Sequence, residues 1–219
     1  MITIYGNYHS RASRALWLLE ELGLPFRLRR VVQANRFKDP LAPEVPLNTR
    51  SPEFRKLSPM GAIPVLEEDG LILTESLAIN LHLARKAGGP LAPAHERELS
   101  QMEQWALFAA TWIETDALAL SFVYRRKEQD TPEGKAEIAS LCSTLARPLT
   151  TLETHLETHS HIVGGRFTVT DLNLAEVLRY GQDHPEFLAP YPRLQSWIKL
   201  CQSRKAFRAM WEKREAEAV

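Results

Sequence analysis

Residues 8–13, YHSRAS, carry hydroxyl groups immediately before a predicted helix. The N-terminus of a helix has partial positive charge and unpaired N–H donors, so it can stabilise a thiolate. A thiol with a pKa of ~8.5 is only about 3% ionised at pH 7, and lowering that pKa by two units requires about 2.7 kcal/mol of preferential thiolate binding. A hydroxyl donor and a helix terminus can together supply it. Ser10 or Ser13 could instead simply cap the helix, and capping is the commoner role of serines at such positions.

A second group of candidate residues surrounds Pro64. A proline at the start of a strand must lie at an edge, a bulge or a tight turn. A cis bond before Pro64 would turn the N–H and C=O of Ile63 towards a ligand, and an extended peptide could then pair with them. Further on, Glu75 offers a carboxylate for an amine, and Ser76 offers a hydroxyl and an N–H for a carboxylate. A ligand with an amino acid end and a peptide backbone would fit both places.

The hydrophobic pattern predicts the elements that position these residues. Ile2–Tyr5 reads as a strand, and apolar residues at three- and four-residue spacing predict a helix over 10–22, which Gly23 ends. A second strand follows over 26–33. The apolar runs 63–66 and 71–73 flank Asp69-Gly70, a strong hairpin signal, and a helix follows from Thr74. A β-α-β unit followed by a β-β-α unit is the thioredoxin pattern.

The Gly- and Pro-rich stretch 86–93 marks a linker, and the chain beyond it is helical by pattern. We therefore expect an α/β plus all-α fold, with a thioredoxin-like domain over 1–84, a linker over 85–94 and an all-helical domain over 95–219. Within the helical part, Pro148 should kink or divide a long helix. Thr168 and Asp171 stand three apart, as the reciprocal caps of a helix start do.

The Ile63-Pro64 dipeptide, the hairpin and the Glu75-Ser76 pair resemble the glutathione site of the thioredoxin-fold glutathione transferases. In that family the proline is cis, the residue before it pairs with the cysteinyl backbone, and Glu-Ser holds the γ-glutamyl end. The resemblance spans nearly the whole chain. It is closest to the cytosolic glutathione S-transferase family, in a bacterial, serine-type form with a theta-like N-terminal motif.

Residues 10–15, SRASRA, match the spacing of the serine-dependent transferases, so the resemblance assigns the thiolate donor to Ser10. Tyr8 is a competitor because tyrosine has this role in other classes of the family, and Ser13 is a third candidate. No cysteine lies nearby, which argues against the cysteine-bearing omega and beta classes. A helix is predicted over 96–126, and in the family the later part of this helix faces the substrate cleft, which makes Thr115, Tyr124 and Arg125 further candidates.

The chain departs from the family at Ala62, where many relatives carry Lys or Gln. Part of the usual hold on the glycine carboxylate of glutathione is then either missing or supplied by Arg36, Lys38 or Asn48. The proline-rich segment 35–50 is longer than the family usually has, and it forms either a wall of the second-substrate pocket or a surface loop.

Composition excludes several other functions. A formal net charge of zero argues against a broad nucleic-acid footprint, and no uncharged apolar run approaches the ~18 residues that cross a bilayer. Cys142 and Cys201 form no redox motif, and a reducing cytoplasm is expected. His155, His159 and His161 lie at a predicted helix end, where a pair four residues apart could bind a metal. No clear third ligand follows and the segment is polar, so a solvated helix end is expected and no metal is predicted.

These observations predict a cytoplasmic, homodimeric detoxification enzyme that conjugates glutathione to a small apolar electrophile held between the domains. Glutathione would be the co-substrate, with no other cofactor, and neither nucleic acid nor membrane would be a partner. Two alternatives remain. The same thiolate could serve a glutathione-dependent peroxidase, disulfide reductase, isomerase or dehalogenase, or the chain could be a non-catalytic glutathione- or ligand-binding protein.

Overall fold

A computed structural model describes residues 1–218 of the chain and places them in two compact units. One unit comprises residues 1–87 together with the described part of 205–219, and the other comprises residues 88–204. The predicted fold class, a thioredoxin-like domain followed by a helical domain, is confirmed. The segment after residue 204, which the sequence analysis placed in the helical domain, packs instead with the first unit.

The first unit is built on a four-stranded mixed sheet in the order β2-β1-β3-β4. Strand β1 pairs parallel with β2, with Ile4 opposite Leu28, and antiparallel with β3, with Ile4 opposite Leu66. The elements of this unit are β1 (Ile2–Gly6), α1 (Ala12–Leu22), β2 (Phe26–Arg30), α2 (Pro52–Leu57), β3 (Val65–Glu68), β4 (Leu71–Leu73) and α3 (Ser76–Ala87), and the chain returns to it at its last helix.

The predicted hairpin is confirmed, because β3 and β4 pair around Asp69 and Gly70, both of which have positive φ. Helix α1 ends at Gly23 in the left-handed conformation, as predicted. A serine before a helix often caps it, but the Ser51 side chain does not cap α2. Its hydroxyl instead accepts the N–H of Asn48 at 2.9 Å, inside the preceding loop.

The second unit is helical throughout its regular structure. It contains α4 (Glu96–Phe108), a π-helical turn (Ala109–Ile113), α5 (Glu114–Arg125), α6 (Pro132–His155), α7 (Val169–Leu178), a 3₁₀ turn (Arg179–Asp183) and α8 (Pro192–Gln202). Every residue of α7 is buried, so this helix is the centre of the unit. Pro148 does not divide α6, which is assigned as one continuous helix of 24 residues.

The continuous helical run Glu96–Arg125 is long and apolar enough, by length and composition, to cross a membrane. It has a mean hydropathy of 1.4 over its most apolar window, of which 44% is buried within the protein. The core helices of soluble proteins can be equally long and apolar. This run supplies the buried side chains of Met102, Ile113 and Leu120 to its unit.

Helix α9 (Lys205–Ala216) completes the first unit. It packs on α1, where the indole of Trp17 and the ring of Phe207 meet edge-on with centroids 4.9 Å apart. Trp17 and Met210 are fully buried in this contact region. The sequence pattern predicts the helix but not the element on which it packs.

Candidate functional site

Ser10 lies in a β-turn between β1 and α1, where the N–H of Ser10 donates to the carbonyl of Asn7 at 3.1 Å. The Ser10 hydroxyl donates to the same carbonyl at 2.7 Å and accepts the N–H of Ala12 at 3.1 Å. The side chain is nearly buried, with 9% of the residue exposed. The hydroxyl therefore stabilises the turn and the first residue of α1, and it would have to reorient to donate to a thiolate.

The two alternative hydroxyl groups have different surroundings. Ser13 is fully buried inside α1. Tyr8 precedes Ser10 in the turn and is 9% exposed. Burial raises the pKa of the Tyr8 phenol above its usual value, while the nearby Lys213 cation opposes this rise. A phenol with a raised pKa stays protonated at neutral pH and keeps a proton to donate.

The Ile63-Pro64 peptide bond is cis, as predicted. The sheet register of β3 begins at Val65, opposite Tyr5, so Ile63 lies outside the ladder. Its side chain packs against the buried cluster of Val31, Phe54 and Val65.

Gly6 shows how closely the strand, the turn and Ile63 approach one another. A Cβ at Gly6 would lie 2.6 Å from Ala12 Cβ, 3.6 Å from Ser10 Oγ and 3.9 Å from Ile63 Cβ. The Ser10 hydroxyl and the residue before the cis proline therefore flank one point at the end of β1. Only glycine fits there without displacing the start of α1.

Glu75 and Ser76 stand at the start of α3. Glu75 is exposed and has a positive φ of 67°, whereas Ser76 is buried. The Ser76 hydroxyl accepts a hydrogen bond from Arg14 Nη1 at 2.8 Å. A hydroxyl that accepts from a guanidinium keeps its own proton to donate, so a cation and a donor lie together at this helix start.

Arg14 is a further residue of this site, and the sequence pattern presents it only as part of the SRASRA motif. Its side chain is 1% exposed, which is unusual for arginine. It lies one helical turn after Ser10, within the apolar positions of α1. An arginine inside an apolar helical stripe is the signal that could have identified it.

The loop after β2 is organised by Asn48, one of the three residues considered for the glycine carboxylate. Its amide nitrogen donates to the carbonyls of Pro40 and Pro46, and its amide oxygen accepts the N–H of Arg50. Asn48 is buried, whereas Arg36 and Lys38 are exposed on the same loop. The amide of Asn48 therefore holds the loop together and has no group left for a carboxylate.

Ala62 is exposed, and its backbone is tied to the preceding helix. Its N–H donates to Ser58 Oγ at 3.0 Å, and the Ser58 hydroxyl donates to its carbonyl at 2.9 Å. These bonds fix the chain one residue before Ile63.

The remaining candidates belong to the second unit. Thr115 and Arg125 are exposed on α5, and the Arg125 guanidinium lies 5.6 Å from the ring centroid of Phe122. The Tyr124 hydroxyl is hydrogen-bonded to His184 Nδ1 at 2.6 Å, and burial raises the pKa of this phenol. Thr115 and Arg125 are therefore surface side chains, whereas the Tyr124 hydroxyl already has a hydrogen-bond partner.

No group of three His, Cys, Asp or Glu side chains arranged for a metal ion occurs among residues 1–218. His155 bonds through Nε2 to the carbonyl of Ile162 at 3.0 Å, and its ring stacks on His159 with centroids 4.2 Å apart. Burial lowers the pKa of His155, so this imidazole favours its neutral form. These contacts join the end of α6 to the loop that follows it.

Comparison with known proteins gives consistent matches along the chain. The N-terminal domain model of glutathione S-transferases matches residues 10–86, and the C-terminal domain model matches residues 100–205. The chain is 28% identical to a glutathione S-transferase from Pseudomonas fluorescens whose crystal structure superposes with a TM-score of 0.76, covering 94% of this chain and 96% of that one.

Two curated relatives have different names. Glutathione S-transferase 3 of Schizosaccharomyces pombe is 26% identical over 98% of this chain and 88% of its own length. Elongation factor 1-gamma 2 of Oryza sativa subsp. japonica is 30% identical over 79% of this chain, but the match spans only 42% of that protein. The two domain models together match most of the sequence, and the chain belongs to the glutathione S-transferase family.

Proposed function

We propose that this protein is a serine-type glutathione transferase that joins the glutathione thiolate to a small apolar electrophile. The main support is the arrangement at the end of β1, where Ser10 Oγ and Ile63 lie within 4 Å of the position that a Cβ of Gly6 would occupy. In this proposal the cysteinyl backbone of glutathione pairs with Ile63 beside cis-Pro64, and its sulfur faces the start of α1. The helix terminus and the Ser10 hydroxyl then favour the thiolate over the thiol.

The γ-glutamyl end of glutathione would lie at the start of α3. Its ammonium would pair with the exposed Glu75 carboxylate, and its carboxylate would accept from the Ser76 hydroxyl and N–H. The Arg14 guanidinium, 2.8 Å from Ser76 Oγ, adds a buried positive charge beside that carboxylate. A ligand lacking the γ-glutamyl carboxylate would lose its hydrogen bonds to Ser76, so the site should bind it more weakly.

The chemical step needs little beyond the activated sulfur. The thiolate attacks an electrophilic carbon, a carbon–sulfur bond forms, and a leaving group departs or a double bond accepts the electron pair. Glutathione would be a co-substrate, and no further cofactor would be needed. A detoxifying role, a homodimeric state and a cytoplasmic location are parts of the same proposal, supported by the family alone.

A second proposal is a non-catalytic glutathione- or ligand-binding role. Two observations favour it: the Ser10 hydroxyl already donates to the carbonyl of Asn7, and a relative named as an elongation factor is similar in sequence over 79% of this chain. Family membership alone therefore does not supply transferase activity. Peroxide or disulfide reduction, isomerisation and dehalogenation use the same thiolate, and a substrate panel separates them from conjugation.

The deciding experiment is an ultraviolet difference titration of bound glutathione, which follows the thiolate across pH in the wild type and in Ser10→Ala. Loss of a charge-assisted hydrogen bond of about 1.5–3 kcal/mol should raise the pKa of the bound thiol by about 1–2 units and reduce turnover at pH 7 about tenfold or more. Tyr8→Phe, which keeps the ring, is the matched control and should retain both properties.

Binding of glutathione without any lowering of its thiol pKa in the wild type would favour the non-catalytic role. Full activity in Ser10→Ala together with a loss in Tyr8→Phe would transfer the donor role to Tyr8.

A further inference from the structure

We infer that Glu217, in the segment that follows α9, is a positioning residue for Ser10. This inference rests on the proposed function, because it concerns how the Ser10 hydroxyl is held for a thiolate. It goes beyond that proposal in making residues 214–218, far from Ser10 in sequence, part of the same site.

The face of α9 that packs on α1 leads directly to the turn before Ser10. Phe207 and Met210 are buried on this face, and Arg214 and Glu217 follow at three- and four-residue spacing. An ion pair between Lys213 and Glu20 adds a polar contact between the two helices. The position of Glu217 is therefore set by a packed interface.

Both backbone polar groups of Tyr8 bind this segment. The N–H of Tyr8 donates to Glu217 Oε2 at 2.8 Å, and the carbonyl of Tyr8 accepts from Arg214 Nη1. The imidazole of His9 adds a hydrogen bond from Nε2 to the carbonyl of Glu217 at 3.2 Å. Tyr8 and His9 are the two central residues of the turn, whose own hydrogen bond leaves the polar groups of Tyr8 unused.

The link from Glu217 to Ser10 passes through one peptide group. The N–H of Tyr8 and the carbonyl of Asn7 belong to the same planar unit, so they rotate together. The N–H end is fixed by Glu217, and the carbonyl end accepts both the N–H and the hydroxyl of Ser10. Fixing the orientation of this peptide therefore fixes the place of Ser10 Oγ.

The segment that contains Glu217 is also hydrogen-bonded to the end of β2. Arg30, the last residue of β2, donates to the carbonyl of Ala218 at 2.6 Å. Glu217 and Ala218 also line a small cavity together with Asn7, His9 and Arg30. The segment thus bridges from the end of β2 to the turn of β1 and α1.

The test compares Glu217→Ala with Glu217→Gln, using Glu212→Ala on the exposed side of α9 as the control. Alanine removes the acceptor of the Tyr8 N–H, whereas glutamine keeps a neutral oxygen in its place. We expect Glu217→Ala to lower kcat about three- to tenfold, as the loss of one ordered hydrogen bond would, while the KM for glutathione changes less than twofold. Glu217→Gln should stay within about twofold of the wild type.

A double-mutant cycle with Ser10→Ala tests the route through Ser10. If Glu217 acts by positioning Ser10, the effect of Glu217→Ala on the pKa of the bound thiol should vanish in the Ser10→Ala background. An equal effect in both backgrounds would overturn the inference. A Glu217→Gln variant as impaired as Glu217→Ala would also overturn it, since charge and not the hydrogen bond would then be responsible.

Hydrogen exchange of the Tyr8 amide, measured without glutathione, separates this inference from the proposed function. Exchange should be faster in Glu217→Ala than in the wild type or in Glu212→Ala, because the amide loses its acceptor. Unchanged exchange would overturn the contact itself. If the wild type does not ionise glutathione but the Tyr8 amide exchanges faster in Glu217→Ala, the proposed function fails while the contact between Glu217 and the turn stands.

Discussion

The starts of α1 and α7 resemble each other in sequence but differ in how their polar groups are satisfied. At α7 the Asp171 carboxylate accepts the N–H and hydroxyl of Thr168, the N–H of Ile162 and the indole N–H of Trp197. The Thr168 hydroxyl in turn accepts an N–H of the first turn. Both caps are fully buried. This helix start therefore has its own carboxyl group as an acceptor and needs no ligand.

The start of α1 carries no such charge. Its first turn, residues 12–15, contains no acidic side chain but includes Arg14, and Arg11 immediately precedes it. The hydroxyl of Ser10 comes from a turn whose shape depends on Asn7 and Glu217. A helix start with basic neighbours and no internal carboxylate favours an anion from outside. The same hydroxyl-before-helix pattern is thus structural at α7, where the first turn supplies its own carboxylate. We propose that it receives a ligand at α1, where the first turn supplies none.

The largest effect is expected when the carboxylate is removed from α7. Asp171→Ala leaves three N–H groups and one hydroxyl without an acceptor in a buried place, so the free energy of unfolding should fall by about 3 kcal/mol or more. Chemical denaturation measures this loss, and the exposed Asp130→Ala is the control. A change in turnover without a loss of stability would assign Asp171 a role other than capping.

A smaller effect should follow from the ion pair that holds the loop before α7. The Arg166 guanidinium lowers the pKa of Glu98 to about 2, from 4.5. Because the folded-state pKa lies below the unfolded one, the stabilisation is complete above about pH 4.5 and is lost as the pH falls towards 2.

Glu98→Gln should remove this part of the pH dependence, which we expect to be about 2 kcal/mol because Arg166 is partly exposed and the pair is screened. Denaturation curves between pH 2 and 6 measure it, with the exposed Glu96→Gln as the control. If the free energy of unfolding changes with pH equally in the wild type and in Glu98→Gln, the ionised pair contributes nothing to stability in this pH range.

The smallest effect on stability, and the most direct test of the comparison, comes from giving α1 a carboxylate. Arg11→Asp should change the free energy of unfolding by less than about 1 kcal/mol, since Arg11 is exposed. It should nevertheless raise the pKa of the thiol of bound glutathione by roughly half a unit or more, because a like charge disfavours the thiolate. Arg11→Asn removes the arginine without adding a charge. Equal thiol pKa values in the two variants would show that the charge at this helix start does not matter.

Much of the fold could be predicted from local pattern. The strands of the first unit, the Asp69-Gly70 hairpin and the capping box of Thr168 and Asp171 depend on neighbours within a few residues, and each is confirmed. The pattern was less informative at Pro148, which was expected to kink or divide a long helix, because α6 continues undivided through this proline.

The candidate site was predictable only in part. The cis bond before Pro64 is confirmed, and the motif brought Ser10, Glu75 and Ser76 to attention. The burial of Arg14 beside Ser76 joins residues 62 positions apart in sequence, and no spacing rule within one helix reveals it. The partners of the Ser10 hydroxyl were also unpredictable, because a serine before a helix has several acceptors within reach.

By itself, the sequence determined the two-part fold and the types of residue at the candidate site, since periodicity, turn residues and caps act over short distances. Tertiary structure alone decided which distant elements meet: Gly6 against α1, Arg14 against Ser76, and Glu217 against the backbone of Tyr8. The physical reason is that a buried polar group must find a partner, and which partner is within reach depends on the packing of the whole unit.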